Sequence, residues 1–373
     1  METYQNEKKW IWEDVSFPNF TYENVNIDTL NYKFGQLNMV EKFMNQDDTD
    51  TLQLDRLLNE ALSTSAIEGE TLQRSSVRSS INKILKLGLE DDYSYTRESD
   101  ALIEVLVDAK TNNQPLTKHR LLQWHKALFP NGNSGLREIN IGKYRTNDED
   151  MKIVSGAWHK ERVHYVAPPS SDVEDLMDSF LEWLNSEDKL NPIYKSAIAH
   201  LYFVLIHPFD DANGRIARAI TDYVLSKSSL ANAKFYSIST TVYQKRKEYY
   251  EVLDFVCKQT SQDITKWMEW FIALLEESID TTLVEIESVK IKAKFWDKNR
   301  KTKLNDRQKK VILKMLSFLP TEFEGGMRVK KYMGITKTTR LTASRDLSDL
   351  VAKGVMKSEG KGRGVFYSLN FKN

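Results

Sequence analysis

A mainly α-helical chain, with one small β-hairpin in its middle and a basic helix-and-strand module at its C-terminal end, is what this sequence predicts. Three observations carry that expectation. Apolar residues recur at helical spacing through most of the chain. The exception is 142–169, where Gly142, Asn147, Asp148, Ser155, Gly156, Pro168 and Pro169 interrupt two short β-prone runs, 151–154 and 162–166. Charge is the third: 53 Lys and Arg balance 53 Asp and Glu over 373 residues, yet positions 301–373 hold 17 basic against 6 acidic, a net +11 on an otherwise acidic body.

Length allows two or three domains, each burying its own core. No run approaches the roughly 20 consecutive apolar residues of a membrane span, and the opening METYQNEKKWIW lacks a signal peptide's apolar middle. A cytoplasmic protein with no membrane attachment is therefore expected. The single cysteine, Cys257, excludes an internal disulfide framework and a zinc cluster of cysteines.

Residues 1 to about 35 are irregular and aromatic, with Trp10, Trp12, Phe17, Phe20 and Tyr22, and predict an arm packed over the body. From about 28 to 70 the pattern is helical, with Leu52, Leu54, Leu57, Leu58 and Leu62 as a buried stripe. It runs into Ser63-Thr64-Ser65-Ala66-Ile67-Glu68-Gly69-Glu70, which from the residues alone is either a plain helix end capped by Gly69 or a functional segment. Further helices are expected at 81–87, 100–110 and 117–129, the last closed by Pro130-Asn131-Gly132. Its His119 and His125 are six apart, do not share a face, and so read as core or surface histidines rather than a metal pair. After the hairpin come an amphipathic helix over 172–183 and a buried one opened by Pro192, whose His200 reads as a hydrogen-bonded core histidine.

That buried helix ends at His207, because Pro208 disfavours helical geometry in the residue before it. The run His207-Pro208-Phe209-Asp210-Asp211-Ala212-Asn213-Gly214-Arg215-Ile216-Ala217-Arg218 then packs an imidazole, two carboxylates, an Asn-Gly turn and two guanidiniums into twelve positions. Helical spacing resumes near Gly214, so the loop delivers a fresh helix N-terminus, whose unpartnered N–H groups and macrodipole attract anions. Arg215 and Arg218 are neighbours on that helix and suit phosphate oxygens. Asp211 supplies one hard oxygen ligand, the way Mg²⁺ is held beside substrate phosphates. His207 titrates near neutrality and could take a proton from an attacking hydroxyl.

HPFDDANGRIAR resembles the signature of the Fic family, His-x-Phe-x-Asp/Glu-Gly/Ala-Asn-Gly/Lys-Arg-x-x-Arg, with every fixed position filled. The resemblance implies a Fic-type helical core and a protein adenylyltransferase: ATP as donor, transfer of AMP to a Ser, Thr or Tyr hydroxyl of a target protein, pyrophosphate released, and self-modification. Ala212 stands where most members have Gly. Gly214 stands where the phosphotransferase branch, resembling the Doc toxin, has Lys, which favours AMP transfer. By resemblance His207 is the base, Asp211 binds Mg²⁺, Asn213 and the Gly214 amide meet the α-phosphate region, and Arg215 and Arg218 hold the outer phosphates.

Two flanking segments gain meaning from that resemblance. Thr64-Ser65-Ala66-Ile67-Glu68-Gly69 is similar to the family's inhibitory motif, Ser/Thr-x-x-x-Glu-Gly/Asn, which implies that Glu68 pairs with Arg218 and denies it to the γ-phosphate; the same Glu68 could position a water for AMP removal. The 142–169 hairpin becomes a flap along which a target strand pairs. WIWEDVSFPNFTY resembles the opening of an N-terminal module found before Fic domains in bacterial proteins.

Past the motif, Tyr249 and Tyr250 are similar to family tyrosines near the adenine pocket, and are expected to precede a helix through Val252. A long helix over 264–289 closes the catalytic region. Positions 290–303 read as a basic linker. Beyond the linker the chain scans as helix (306–318), turn at Gly325-Gly326-Met327, helix (330–333), turn (334–336), helix (338–353) and two strands (355–357 and 365–369), an order that resembles a winged helix. Lys337, Thr338, Arg340 and Arg345 fall on or near its recognition helix, with Lys361 and Arg363 in the wing. Such modules bind DNA or dock proteins, and the net charge tips this one toward DNA; a homodimer stays open. The division expected is 1–95 N-terminal helical region with the 64–69 inhibitory motif, 96–289 catalytic domain, 290–303 linker and 304–373 winged-helix-like domain. Rival readings are a nucleotide-sensing DNA-binding regulator, a phosphotransferase, and a hydrolase that removes AMP.

Overall fold

The computed structural model describes residues 10–44, 46–85, 96–134, 137–147, 149–155, 161–187, 189–228, 233–319, 321 and 323–371, without the side chains of positions 47 and 363. Its first compact unit, Met1–Asp280, is built from helices α1 (Asp28–Phe43), α2 (Gln46–Ile67), α3 (Arg74–Leu85), α4 (Arg97–Thr111) and α5 (Lys118–Ala127). The hairpin β1 (Lys152–Ser155) and β2 (Arg162–Val166) comes next, then α6 (Val173–Asn185), α7 (Pro192–Ile206), α8 (Asn213–Ser226), α9 (Ile238–Gln244), α10 (Arg246–Cys257) and the start of α11 (Thr265–Lys298). The starts are written in the sequence: the Thr96 and Thr117 hydroxyls accept backbone N–H groups of α4 and α5, and Asn191 does the same for α7 with Pro192 in its first turn.

Helix α7 is apolar on nearly every face because it lies at the centre. Tyr202, Phe203 and Ile206 pack with Phe180 and Met177 of α6 and with Ile216, Ile220 and Tyr223 of α8. Each such side chain contributes about 1.5–3 kcal/mol on burial. The stripe expected on α2 is real: Leu54, Leu57, Leu58 and Ala61 join the same core. The aromatic arm packs as expected, with Phe17 and Phe20 edge-on to Tyr202.

Unit two, Thr281–Asn373, continues from α11 into α12 (Asp306–Leu316), α13 (Val329–Thr336), α14 (Arg340–Ala352), β3 (Met356–Glu359) and β4 (Phe366–Leu369). β3 and β4 pair antiparallel, and Met327 bridges Tyr367, adding a third backbone line. A separate core of Phe295, Val311, Ile312, Met327, Tyr332, Ala343, Leu347 and Leu350 holds it together.

Several sequence boundaries move. The linker expected over 290–303 is helix as far as Lys298, because Phe295 is buried in the second core and draws the chain into it. Likewise 334–336 belongs to α13, and the turn falls at left-handed Lys337. Tyr249 and Tyr250 lie within α10 rather than ahead of a helix. The 28–70 helical stretch is two helices, broken at Met44. Positions 86–87 of an expected helix and 148 and 156–160 of the hairpin lie outside the described residues. No helix among the described residues is long and apolar enough to cross a membrane.

Candidate active site

His207 caps α7 in the left-handed region (φ 50°), a conformation that costs an L-residue about 1–2 kcal/mol and turns the chain sharply out of the helix. Its Nδ1 lies 3.2 Å from the Val204 carbonyl oxygen. A carbonyl only accepts, so Nδ1 carries the proton and Nε2 keeps its lone pair. Burial pushes the imidazole pKa down to about 4, so the ring is neutral at pH 7 although the residue stays partly exposed. Buried Arg145 fixes this turn: its Nε donates to the His207 carbonyl (2.8 Å), its backbone N–H to that of Pro208 (2.9 Å), and Nη2 to Pro168 beyond the hairpin.

The loop after it is clasped from inside. Phe209 is fully buried, with its ring stacked 4.0 Å from His125. Asn213 accepts from the Phe209 N–H (3.0 Å) and donates to its carbonyl (2.7 Å). The asparagine amide thus defines the loop's shape, with one N–H and one oxygen lone pair engaged there. Asp210 accepts from the backbone and side chain of Asn140. Asp211, partly exposed, accepts from the Ser134 hydroxyl and the Ala212 N–H. Ala212 is also left-handed (φ 65°), which explains why Gly is the common residue at this place in the motif.

Helix α8 then begins with Gly214 bare. A Cβ built there would collide with the Glu68 carboxylate and lie 3.1 Å from Arg218 Nη1. Arg218, 1% exposed, donates from Nη2 to Glu68 Oε1 (2.7 Å) and from Nε to the Thr64 hydroxyl (2.8 Å). Burial works against this guanidinium's charge, but Glu68, together with Tyr249 and Glu60, holds the pKa above its ordinary value. Arg215 pairs with a different carboxylate, Glu70, at 2.9 Å. Both arginines keep an unmatched donor: Arg218 Nη1 and Arg215 Nε are buried and make no hydrogen bond among the described residues. Such groups cost about 1–3 kcal/mol each when left unpaired, and an anion's oxygens would satisfy them.

The two carboxylates arrive by way of one helix end. At the terminus of α2 the Glu70 N–H bonds the Ser65 carbonyl (2.9 Å) and the Gly69 N–H bonds that of Ala66 (3.1 Å), with Gly69 left-handed at φ 83°. This is a Schellman closure, and it needs a glycine at 69. The chain doubles back so that Glu68 and Glu70 meet Arg218 and Arg215.

The tyrosine pair divides. Tyr249 is buried, its hydroxyl 3.0 Å from His200 Nε2, while His200 Nδ1 meets Thr221; the histidine is the core residue expected, with burial pushing its pKa down to about 3. Tyr250 is 43% exposed, with the Arg246 guanidinium 5.6 Å from its ring centroid. Burial raises both phenols and the Glu68 carboxylate adds to it, so Tyr250 borders the Glu68–Arg218 pair. One turn further along α10, Asp254 holds the hairpin: His164 of β2 lies 3.0 Å from its Oδ1 and 2.6 Å from Ser155 Oγ on β1.

Sequence reasoning brought His207, Asp211, Gly214, Arg215, Arg218 and Glu68 to one place, and missed Glu70 and Arg145. Glu70 could have been suspected from its position one residue past Gly69. Arg145, a lone arginine in irregular chain, carries no local signal.

The segment holding this loop matches a known family model: residues 115–225 match the model described as the Fic/DOC family, and 10–87 match one described as a domain of unknown function, DUF4172. A protein adenylyltransferase Fic of Nematostella vectensis is 26% identical over 234 residues, covering 59% of this chain and 47% of that protein. A probable protein adenylyltransferase of Aquifex aeolicus is 27% identical over 143 residues, 38% of this chain and 40% of that one. The chain thus spans about half the length, or less, of these curated relatives. Among solved structures, a Fic family protein from Desulfovibrio desulfuricans G20 shares the fold, with a TM-score of 0.52 and 20% identity over 94% of this chain and 98% of that one. The segment from α5 to α8 thus matches the Fic/DOC family model, and the fold around it is shared along nearly the whole of a Fic family protein.

Proposed function

We propose that the chain transfers AMP from ATP to a Ser, Thr or Tyr hydroxyl of a protein, itself included, and that its own carboxylates hold the activity low. One observation carries this: the Glu68 carboxylate lies over Gly214 at the amino end of α8 and pairs with buried Arg218, while Glu70 takes Arg215, and each guanidinium still has an unmatched donor among the described residues. A helix N-terminus flanked by buried cations favours anions, and an internal anion there competes with a nucleotide's phosphates. Relatives named protein adenylyltransferase support ATP as the donor.

In this reading the target hydroxyl oxygen attacks the α-phosphorus, its proton passes to Nε2 of His207, and the bond to the β-phosphate oxygen breaks to release pyrophosphate. Arg215 and Arg218 stabilise the charge on the outer phosphates once the glutamates withdraw. A Mg²⁺ in this reading would be held by the one carboxylate of Asp211 together with the substrate's own oxygens; among the described residues no three His, Cys, Asp or Glu gather as a metal site. Bound there, the ion would neutralise phosphate charge. The target strand would pair with the hairpin, whose two strands leave backbone edges without a strand partner among the described residues and whose Val154 and Val163 are exposed. A cytoplasmic location is part of the same proposal; a homodimer is not required by it.

Transfer of label from α-labelled ATP tests it. Glu68→Gly should raise self-labelling at least about tenfold, since it frees an Arg218 whose charge-assisted bond is worth about 1.5–3 kcal/mol. Adding His207→Ala should abolish the label. Label arriving from the γ position would assign phosphotransfer, release of AMP from a modified target would assign the hydrolase, and nucleotide binding without any transfer would leave a nucleotide-sensing regulator.

A further inference from the structure

Helix α14 is polarised in a way the fold of its unit does not require. Its apolar residues Ala343, Leu347 and Leu350 face the second core. Both of its carboxylates already have partners: Asp346, buried, with Arg307, Asn305 and the Tyr332 hydroxyl, and Asp349, half-exposed, with Gln308 and Lys353. The opposite face is left with Arg340, Leu341, Ser344, Arg345 and Ser348, all exposed. Neither arginine has an acidic partner among the described residues, nor does exposed Lys337 at the turn before the helix. At the other end of the sheet, the β3–β4 connection presents exposed Lys361 between Gly360 and Gly362, both at positive φ. The whole segment from 301 carries a net +11.

We propose that this unit is a winged helix and that the exposed face of α14, with the β3–β4 turn beside it, binds double-stranded DNA. The order helix α12, bridging Met327, helices α13 and α14, strands β3 and β4 is that of the motif, and α14 takes the place of the helix that enters the major groove. A helix of this length, about 20 Å, fits that groove. Arginine forks suit guanine edges, an exposed Leu suits a thymine methyl, and serines reach phosphate or base edges. Lysines at 337 and 361 supply the salt-dependent backbone term. Of the acidic side chains that would repel a duplex, Asp346 is turned inward and Asp349 is neutralised by Lys353, whereas a protein-docking face would more naturally carry mixed charge and a larger apolar patch.

Fluorescence anisotropy of a labelled duplex of about 30 base pairs, titrated with the full chain at about 50 and 200 mM salt, tests this. The expected result is binding that weakens steeply with salt, and that falls about tenfold or more in Arg340→Glu/Arg345→Glu, with the salt slope reduced by about 1 for each phosphate no longer neutralised. Both changes are on the surface, so the variant should melt as the parent does; Lys337→Glu gives an independent second test. Transfer of AMP by the Glu68→Gly chain should be unchanged in these variants, which separates this proposal from the catalytic one. No duplex binding at the lower salt, or binding indifferent to charge reversal, overturns it. So does a change in oligomeric state in the variants without any DNA term, which would assign the face to a second copy of the chain.

Discussion

Glu68 and Glu70 occupy the two motif guanidiniums under different conditions, and their consequences should differ accordingly. Arg218 is enclosed, whereas the Glu70 side chain is 47% exposed, so its pair with Arg215 is screened and worth about 1 kcal/mol or less. Glu70→Gln should therefore raise self-labelling by no more than about fivefold alone, and increase it further when added to Glu68→Gly; an unchanged rate in both backgrounds would remove Glu70 from the inhibition. Gly214→Ala should behave oppositely: the methyl group displaces Glu68 yet fills the place of a phosphate, so combining it with Glu68→Gly should leave the chain inactive and unable to bind ATP in calorimetry. His207 sets the pH dependence. Burial lowers its pKa from 6.5 to about 4, so the neutral base persists above that value and is lost below it. Rate against pH in the Glu68→Gly chain should fall on the acid side near 4 or lower, because the Glu68 carboxylate favours the charged ring and its removal lowers the pKa further. An acid limb near 6.5 would contradict the buried base. At this scale His207, Asp211, Arg215 and Arg218 were legible because so many charged and titratable groups in one short run serve no packing purpose. Glu70 and Arg145 were not, since their importance comes from where the chain folds back.

Elements were legible in kind and displaced at their ends. The hairpin was predictable from its breakers, but its attachment was not: His164, Ser155 and Asp254 come from β2, β1 and α10, and no sequence pattern links them. His164→Ala should loosen the flap while leaving the nucleotide site intact. Labelling of an external target by the Glu68→Gly chain should then drop about tenfold in kcat/KM with ATP binding unaltered, as expected for lost orientation. Equal losses in both would instead place His164 at the nucleotide. Tyr249 shows the opposite failure, where a residue type suited to stacking on a base was taken into the core by its bond to His200. Aromatic residues satisfy either role, and only burial decides.

At the scale of the molecule, charge asymmetry announced a separate C-terminal module, and the helical period announced the class of fold. The boundary between units was obscured because it lies inside α11, where the helical period runs on without a breaker to mark it. Phe295→Ala should cost the second unit about 3–5 kcal/mol. Urea unfolding followed by circular dichroism should show that loss while AMP transfer by the Glu68→Gly chain survives below the transition. Simultaneous loss of both would mean that the units unfold as one. The turn that carries Glu68 has the reverse character, for it ends a helix whose Leu54, Leu57, Leu58 and Ala61 belong to the main core. On the proposal that Glu68 restrains the site, the brake is mounted on the frame of its own unit, and a departing subunit cannot carry it away. Its return whenever the pocket empties would leave such a protein no record of past stimulation, with an output that tracks only the present occupancy of its site.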